Sequence, residues 1–304
     1  MDLNDAALKY LYESYRRGTM RAASDYFDMA PSSISRQISR LEREIGLPLI
    51  ERGRHTVKLT PTGQLLLDYY RDRQGHHEAL VSTLNDMRGL RRGSVTVAIG
   101  QGLLGEILVP AIQRYLKTYP DLRIHLKDAP TAEALNMVYE DEAHFGVLLE
   151  PVLDPALQTR QTVVQPVKAI VSHSHPMAKL RKASIHDLMK HNLILPTANF
   201  RTRQIIEKLA RETGHDLDPL ITSSSIPLIR SLVLADVGMA ILPETVVLGE
   251  LRSGLLHAIP LVEPAFNKSE IHIVYRRGRK LPKTATALLD LIEYEIMQSA
   301  KAEG

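Results

Sequence analysis

The sequence predicts a multidomain protein that is all-α at its N-terminus and α/β over the rest of its length. Three observations predict this. Residues 5–45 carry helical apolar stripes separated by short turns, Thr60-Pro61 opens one long helical stretch, and from Val95 short apolar runs alternate with amphipathic helices. The length of 304 residues agrees, since a single domain usually takes about 100–200.

Composition narrows the class. A hydrophobic fraction of 44% with charge spread along the chain suits a globular protein with a sizeable core. The net charge is only +3, so any affinity for nucleic acid must come from a local patch. Residues 31–60 supply one, with six basic side chains (Arg36, Arg40, Arg43, Arg52, Arg54, Lys58) against three acids (Glu42, Glu44, Glu51). There are no cysteines, which excludes disulfides, thiolate metal sites and a cysteine nucleophile. The start, MDLNDAALKYLYESYRR, mixes acids and bases and does not read as a signal peptide. SLVLADVGMAIL is interrupted by Asp236 and is too short to span a bilayer. A cytoplasmic location is expected.

The first helix is expected over 5–17, with Ala6, Leu8, Leu11, Tyr12 and Tyr15 inward, Gly18 as its stop and Thr19 as cap of the next, MRAASDYF. Asp28 and Met29 turn the chain into PSSISRQISRLEREIG, where Pro31 takes the first helical position. Ile34, Ile38, Leu41 and Ile45 make one apolar face of that helix. The other face holds Ser32, Ser35, Arg36, Ser39, Arg40 and Arg43, with no carboxylate before Glu42. Such a small, polar, basic surface suits phosphates and base edges. Ala30 is a poor cap, and the sequence offers no compensation.

LPLIERGRHTVKLT alternates as a two-stranded wing would, with Gly53, Arg54 and His55 at its tip. The helix from Pro61 to about Gly89 places Leu66, Tyr69, Tyr70, Arg73, His76, Leu80, Leu84 and Met87 near one stripe. With no core of its own, that stripe is expected to meet a partner helix. RGLRRGS, residues 88–94, reads as a hinge. Beyond it, VTVAIG, LVPAIQRYLKTYP, LRIHLKD, a helix near 131–140 and FGVLL give a parallel α/β rhythm, and a second cycle runs from VKAIVSH to LHAIPL. Crossings near 162–166 and 262–268 would leave a cleft between two lobes.

In this order of parts, the chain resembles the LysR-type transcriptional regulators. The likeness is densest in TMRAASDYFDMAPSSISRQISRLEREIGLPLIERGRHTVKLTPTG and is marked again by VTVAIG, HPMA at 175–178 and LVLADVGMAILP. Departures are Ser24 for the second of two alanines, Ala30 for Ser or Thr, Ile50 for Phe, His144 for Asp and Asp236 for Gly. The resemblance implies a winged helix-turn-helix over 1–60 and a linker (dimerisation) helix with hinge over 61–92. A two-lobed effector domain like a periplasmic binding protein would follow over 93–304, with lobe I about 93–163 and 267–304 and lobe II about 164–266.

DNA contacts carried over by the resemblance fall on Pro31, Ser32, Ser35 and Arg36, with Arg40 near phosphates and Arg54 on the wing. Arg36 is the expected base reader, whereas Arg40, Arg43 and Arg52 are equally placed to pair with Glu44 or Glu51. Effector contacts fall on Gly100, Gln101, Gly102 and Leu103, then on Thr197, Asn199 and Phe200, with Arg201, Ser224 and Ile226. Helix starts there would favour an anionic metabolite. The implied partners are double-stranded DNA, that small-molecule effector, a homodimer or homotetramer, and RNA polymerase. No membrane, metal or cofactor is implied. HSHP at 173–176, HHEAL at 76–80 and SSS at 223–225 lack the company that metal or catalytic sites need, so no enzyme is expected. The alternatives are a small-molecule-binding protein or enzyme whose N-terminus only mediates assembly, and a ligand-independent architectural DNA binder.

Overall fold

The computed structural model describes residues 3–51, 56–88, 93–100, 105–149 and 154–302. They divide into two compact units, one of residues 1–81 with 278–280 and one of residues 82–277 with 281–304.

The first unit begins with three helices, α1 (Asp5–Arg16), α2 (Met20–Phe27) and α3 (Pro31–Ile45). Asn4 and Thr19 cap α1 and α2 by accepting from the backbone N–H of Ala7 and Ala22. Ala7, Leu8 and Leu11 pack against Ala23 and against Ile34, Ile38 and Leu41 of α3. Ala6, expected inward, is exposed, and Ala7 takes its place in the core. Asp28 ends α2 at φ 52°, a left-handed conformation that an Asp tolerates better than most side chains. Ala30 indeed caps nothing with its side chain: Ser33 N–H donates to the Ala30 carbonyl at 2.9 Å, and Pro31 removes one orphan donor by having none.

The expected two-stranded wing reduces, in the described residues, to one antiparallel pair, Ile50 with Leu59, flanked by Glu51 N–H to Lys58 O at 2.9 Å. Its tip, residues 52–55 with Gly53, Arg54 and His55, lies outside the described residues. α4 (Pro61–Met87) follows, two residues shorter than expected. Thr60 caps it from its hydroxyl, which accepts from Gly63 N–H at 3.0 Å and donates to Pro48 O at 2.6 Å. The α4 stripe divides, contrary to expectation: Leu66 and Tyr70 turn into the core of their own unit, while Leu65, Tyr69, Leu80, Leu84 and Met87 are exposed.

In the second unit, β1 (Gly93–Gly100), α5 (Gly105–Thr118), β2 (Leu122–Ala129), α6 (Thr131–Tyr139) and β3 (Phe145–Leu149) form a parallel βαβαβ run. β4 (Leu157–Val164) ends the first pass through this lobe, and β5 (Val167–Ser172) enters the other. There the chain runs through α7 (Ile185–Leu188), β6 (Ile194–Pro196), α8 (Arg201–Glu212), β7 (Ile221–Ser223), α9 (Ile226–Leu234), β8 (Ala240–Pro243), α10 (Leu248–Arg252), β9 (Leu256–Ile259) and α11 (Pro264–Asn267). It returns as β10 (Glu270–Arg276) and α12 (Lys283–Ala302).

The first lobe's sheet has the order β2-β1-β3-β10-β4, with β10 antiparallel to both neighbours. Val95, Val97, Phe145, Val147, Ile271 and Ile273 face α5 and α12 through Tyr115, Leu288 and Ile292. Ala98, Leu148 and Val274 face α6 through Ala134 and Val138. Burial on both faces is why these strands read as unbroken apolar runs.

The second lobe corrects the parallel expectation. β5 pairs antiparallel with β8 and with β9; among the described residues, β6 with β7 and the single bridges of Leu193 with Met239 and Ala183 with Leu261 are parallel. β8 and β9 run the same way on either side of β5, joined through α10, and β5 arrives from the other lobe in the opposite sense.

Asp236, where the resemblance leads one to expect Gly, sits at φ 57°. A non-glycine residue there costs about 1–2 kcal/mol, and its carboxylate offsets this by accepting from Ser172 Oγ at 2.5 Å and Ser174 Oγ at 3.1 Å. Those hydroxyls, Ser172 first, hold its carboxyl below the ordinary value.

Two predictions follow from local contacts. A Cβ on Gly63 would lie 2.1 Å from the Leu49 carbonyl oxygen, and backbone on both sides cannot yield cheaply. Gly63→Ala is expected to lower unfolding free energy by about 1–3 kcal/mol or more; an unchanged urea midpoint would contradict the close approach.

His175 is held below its ordinary pKa, first by burial and then by His191, whose ring centroid is 4.9 Å away, with Asp236 opposing. Its Nδ1 accepts from Met177 N–H at 3.2 Å, a role only the unprotonated nitrogen can fill. With the folded pKa depressed, this contribution is complete above the unfolded value of about 6.5 and is lost as pH falls below it toward the folded value. His175→Asn, which keeps an acceptor but does not titrate, should show a shallower loss of Tm from pH 7 to pH 5 than the wild type. Equal slopes would rule His175 out as a source of the acid sensitivity.

Candidate DNA-binding face and effector cavity

α3 is amphipathic, and its buried face orients the other. With Ile34, Ile38 and Leu41 in the core, Pro31, Ser32, Arg36, Ser39, Arg40 and Arg43 are exposed and Ser35 is half-buried. Pro31, Ser32, Ser35, Arg36 and Arg40 therefore share one helix, while Arg54 lies outside the described residues.

The arginines differ in what they already hold. Arg36 Nε donates to Ser32 O at 3.2 Å and its Nη2 reaches Ser33 Oγ at 3.5 Å, both neutral oxygens. Arg40 Nε donates to Glu44 Oε1 at 2.9 Å, and Arg43 Nε to Ser39 O at 3.4 Å. An exposed pair such as Arg40–Glu44 is worth less than about 1 kcal/mol and opens readily. Among the described residues Arg36 has no carboxylate partner, and it lies in the first two turns of a helix with no acid in its first turn.

Sequence reasoning missed the residue that seats this helix. Glu42, counted only as a charge, accepts from the backbone N–H of Leu49 at 2.8 Å and Ile50 at 3.4 Å, clamping the turn after Gly46 to α3. The signal was a carboxylate one turn before a helix stop, facing the chain that doubles back.

In the second unit a cavity opens between the lobes. Gly100, Pro130, Thr131 and Leu149 line it from the first lobe, at the C-terminal ends of β1, β2 and β3. Phe200, Arg201, Thr202 and Ile226 line it from the second, at the starts of α8 and α9, with Leu242, Pro243 and Val246 closing the far wall. Its volume is about 20 Å³, room for about one water molecule, whereas small-molecule sites usually enclose about 300–1,000 Å³.

Of the sequence-expected effector residues, Gly100, Phe200, Arg201 and Ile226 reach this cavity. Gln101, Gly102 and Leu103 lie outside the described residues. Thr197, Asn199 and Ser224 are not in the lining. Thr197 Oγ1 bonds Asn199 Oδ1 at 2.6 Å, and Phe200 N–H donates to Thr197 O at 3.0 Å, so this pair shapes the turn that delivers Phe200. Pro130, Thr131 and Thr202 were missed. Pro130-Thr131 was legible as a strand end followed by a helix start, the same feature that flagged Gly100.

Among the described lining residues Arg201 is the one charged side chain, and its Nη1 donates to Gln204 Oε1 at 3.4 Å. α6 and α8 both aim their first turns at it, and neither Pro130 nor Phe200 caps its helix with a side chain. Seven of the eleven lining residues are apolar side chains. Among the described residues no group of three or more His, Cys, Asp or Glu is placed to hold a metal, and no helix is long and apolar enough to cross a membrane.

Two family models match this chain. Residues 6–64 match the bacterial regulatory helix-turn-helix protein, lysR family, and residues 88–296 match the LysR substrate binding domain. Among relatives, the HTH-type transcriptional activator CmpR of Synechocystis is 24% identical over 278 residues, 91% of this chain and 90% of the relative. The HTH-type transcriptional regulator BenM of Acinetobacter baylyi is 26% identical over 267 residues, 84% of this chain and 85% of that one. Full-length OxyR from Pseudomonas aeruginosa shares the fold with a TM-score of 0.68 at 18% identity, covering 96% of this chain and 95% of the other. The chain belongs to the LysR family: it is a DNA-binding transcriptional regulator with an effector-binding domain, and not an enzyme.

Proposed function

We propose that residues 1–60 read operator DNA through the first two turns of α3, with Arg36 on a base edge, Ser32 and Ser35 beside it, and Arg40 and Arg54 on phosphates. The observation that carries this is Arg36, exposed and, among the described residues, bonded to neutral oxygens alone, on a helix with no acid in its first turn. Residues 61–92 link this reader to an effector-binding domain over 93–304. The exposed apolar side chains Leu65 and Tyr69, and further along α4 Leu80, Leu84 and Met87, support dimerisation through that helix, since exposed apolar clusters mark interaction surfaces. A dimer, or a dimer of dimers, would place α3 in successive major grooves, in the cytoplasm and within reach of RNA polymerase.

The effector that best fits is a compact monoanion with an apolar body, aromatic or aliphatic. Its charge would lie toward Arg201 and the first turns of α6 and α8, its body against Leu149, Phe200, Ile226 and Val246. A sugar acid fits poorly, because its hydroxyls would leave water for a wall with few polar partners. Space for one water means that such a ligand enters only when the lobes part or side chains turn, so binding and a change of shape are the same event.

Binding of operator and scrambled duplexes, followed by fluorescence anisotropy at several salt concentrations, tests the DNA half. Arg36→Ala should cost about 1–3 kcal/mol on the operator and little on the scrambled duplex, collapsing their ratio; Arg40→Ala should weaken both alike and reduce the salt slope by about 1. An Arg36→Ala protein that kept the full ratio would remove Arg36 as reader.

A thermal-shift screen of the full chain tests the effector half. An aromatic or aliphatic monocarboxylate at 100 times its dissociation constant should stabilise by about 2.7 kcal/mol, and Arg201→Met should abolish the shift. Shifts from sugar acids alone would contradict the apolar-body reading, and none from any class would favour a regulator that works without a ligand.

A further inference from the structure

We propose that His186 and His215, on the second lobe and outside the effector cavity, form a two-histidine site for a borderline transition-metal dication of the Zn²⁺, Ni²⁺ and Cu²⁺ class. His186 would bind through Nδ1 and His215 through Nε2. These two nitrogens stand 3.3 Å apart, with ring centroids at 5.6 Å and planes inclined by 57°. Two imidazole nitrogens, each bonded to zinc at about 2.0–2.1 Å with a tetrahedral angle between them, are themselves about 3.3 Å apart. The rings need only swivel for an ion to take the place of the hydrogen between them.

The second observation concerns the proton on His215. The Thr213 hydroxyl lies 2.8 Å from Leu209 O and 3.2 Å from Ala210 O and has one hydrogen, which these backbone carbonyls take. Toward His215 Nδ1, 3.0 Å away, it therefore accepts. Nδ1 carries the proton, and the lone pair of Nε2 points toward His186. A metal-ligating histidine is held in the same way, by a bond from its other nitrogen that sets tautomer and ring orientation.

Access and local charge agree. His186 is exposed and His215 half-buried. Asp187, the nearest acid in sequence to His186, is already occupied by Ser184 N–H and Oγ at 3.0 and 2.7 Å and by Lys190 Nζ at 3.2 Å, so it is not a third ligand. No group of three ligating side chains exists among the described residues. The ion would complete its shell with water and exchange freely, unlike a structural zinc with four protein ligands. It would pin α7 to the turn that ends α8.

The test uses the full chain without a histidine tag, titrated with Ni²⁺ by calorimetry. The chain has 12 histidines, so the difference between proteins isolates the site. Wild type should bind one Ni²⁺ more tightly, by at least about tenfold, than either His186→Ala or His215→Ala, and both variants should lose the same event. Thr213→Val, which removes the hydroxyl but keeps the shape, should weaken it by about 10-fold. Cu²⁺ should bind more tightly than Ni²⁺ or Zn²⁺, and millimolar Mg²⁺ should not compete. Should His186→Ala not fold, as judged by circular dichroism without metal, His186→Gln replaces it. Unchanged stoichiometry and affinity in both histidine variants, or loss in only one, would overturn the proposal.

Discussion

The constraint on which both working surfaces depend is the unpaired start of an α-helix. Every helix leaves N–H groups and about half a positive charge at its first turn. This chain settles that deficit in two ways. α1, α2, α4 and α9 are capped by their own neighbours, Asn4, Thr19, Thr60 and Ser225. α3, α6 and α8 begin after Ala30, Pro130 and Phe200, none of which can cap with a side chain. Forgoing a good cap costs about 0.5–2 kcal/mol each. Those three starts present Ser32 and Arg36, Thr131, and Arg201 with Thr202 to the outside or to the cavity. α10 and α11 also lack side-chain caps, yet at five and four residues they gather little dipole. What separates α3 and α8 is length combined with a cation or hydroxyl and no acid in the first turn, the combination that an incoming anion completes; α6 offers the Thr131 hydroxyl but already carries Glu133 there.

The effector half depends on where its last strand goes. β10 inserts antiparallel between β3 and β4, so the chain must leave the first lobe after β4 and come back after α11. The two passages touch at Gln165, whose N–H donates to Ser269 O at 2.7 Å. Because β1, β2 and β3 are parallel, their C-terminal ends share one edge, and Gly100, Pro130 and Leu149 arrive there together. The cavity is thus a consequence of strand direction in one lobe and of helix starts in the other.

How much of this was readable in the sequence follows from what each signal encodes. Period-3.6 patterns locate a buried face, so Ile34, Ile38 and Leu41 were legible and with them the exposed face of α3. Thr60-Pro61 located the start of α4 because cap chemistry is local. An apolar run has no direction, and VKAIVS, AILP and LHAI look alike whether paired parallel or antiparallel; hence the second lobe was misread. On α4 a single stripe was drawn through Leu66, Tyr70 and Leu80, although a long helix can bury one face in its own unit and expose its neighbour. Thr197 and Asn199 have the chemistry of ligand contacts, but the Thr197 hydroxyl hydrogen is already given to the Asn199 side-chain oxygen. Only distance shows that.

The size of the cavity constrains how any signal can travel. A ligand moves an equilibrium only by the difference in its affinity for two states. The space of about 20 Å³ between the described residues is smaller than a metabolite, so an effector that binds there would favour an arrangement different from this one. The difference has few places to be absorbed. Each lobe has its own buried core, one on β1, β3 and β10, the other on β5, β6 and β8, and close-packed cores do not deform continuously. That leaves the two passages between the lobes, joined where Gln165 N–H donates to Ser269 O at 2.7 Å, as the places where such a difference can be absorbed without repacking either core.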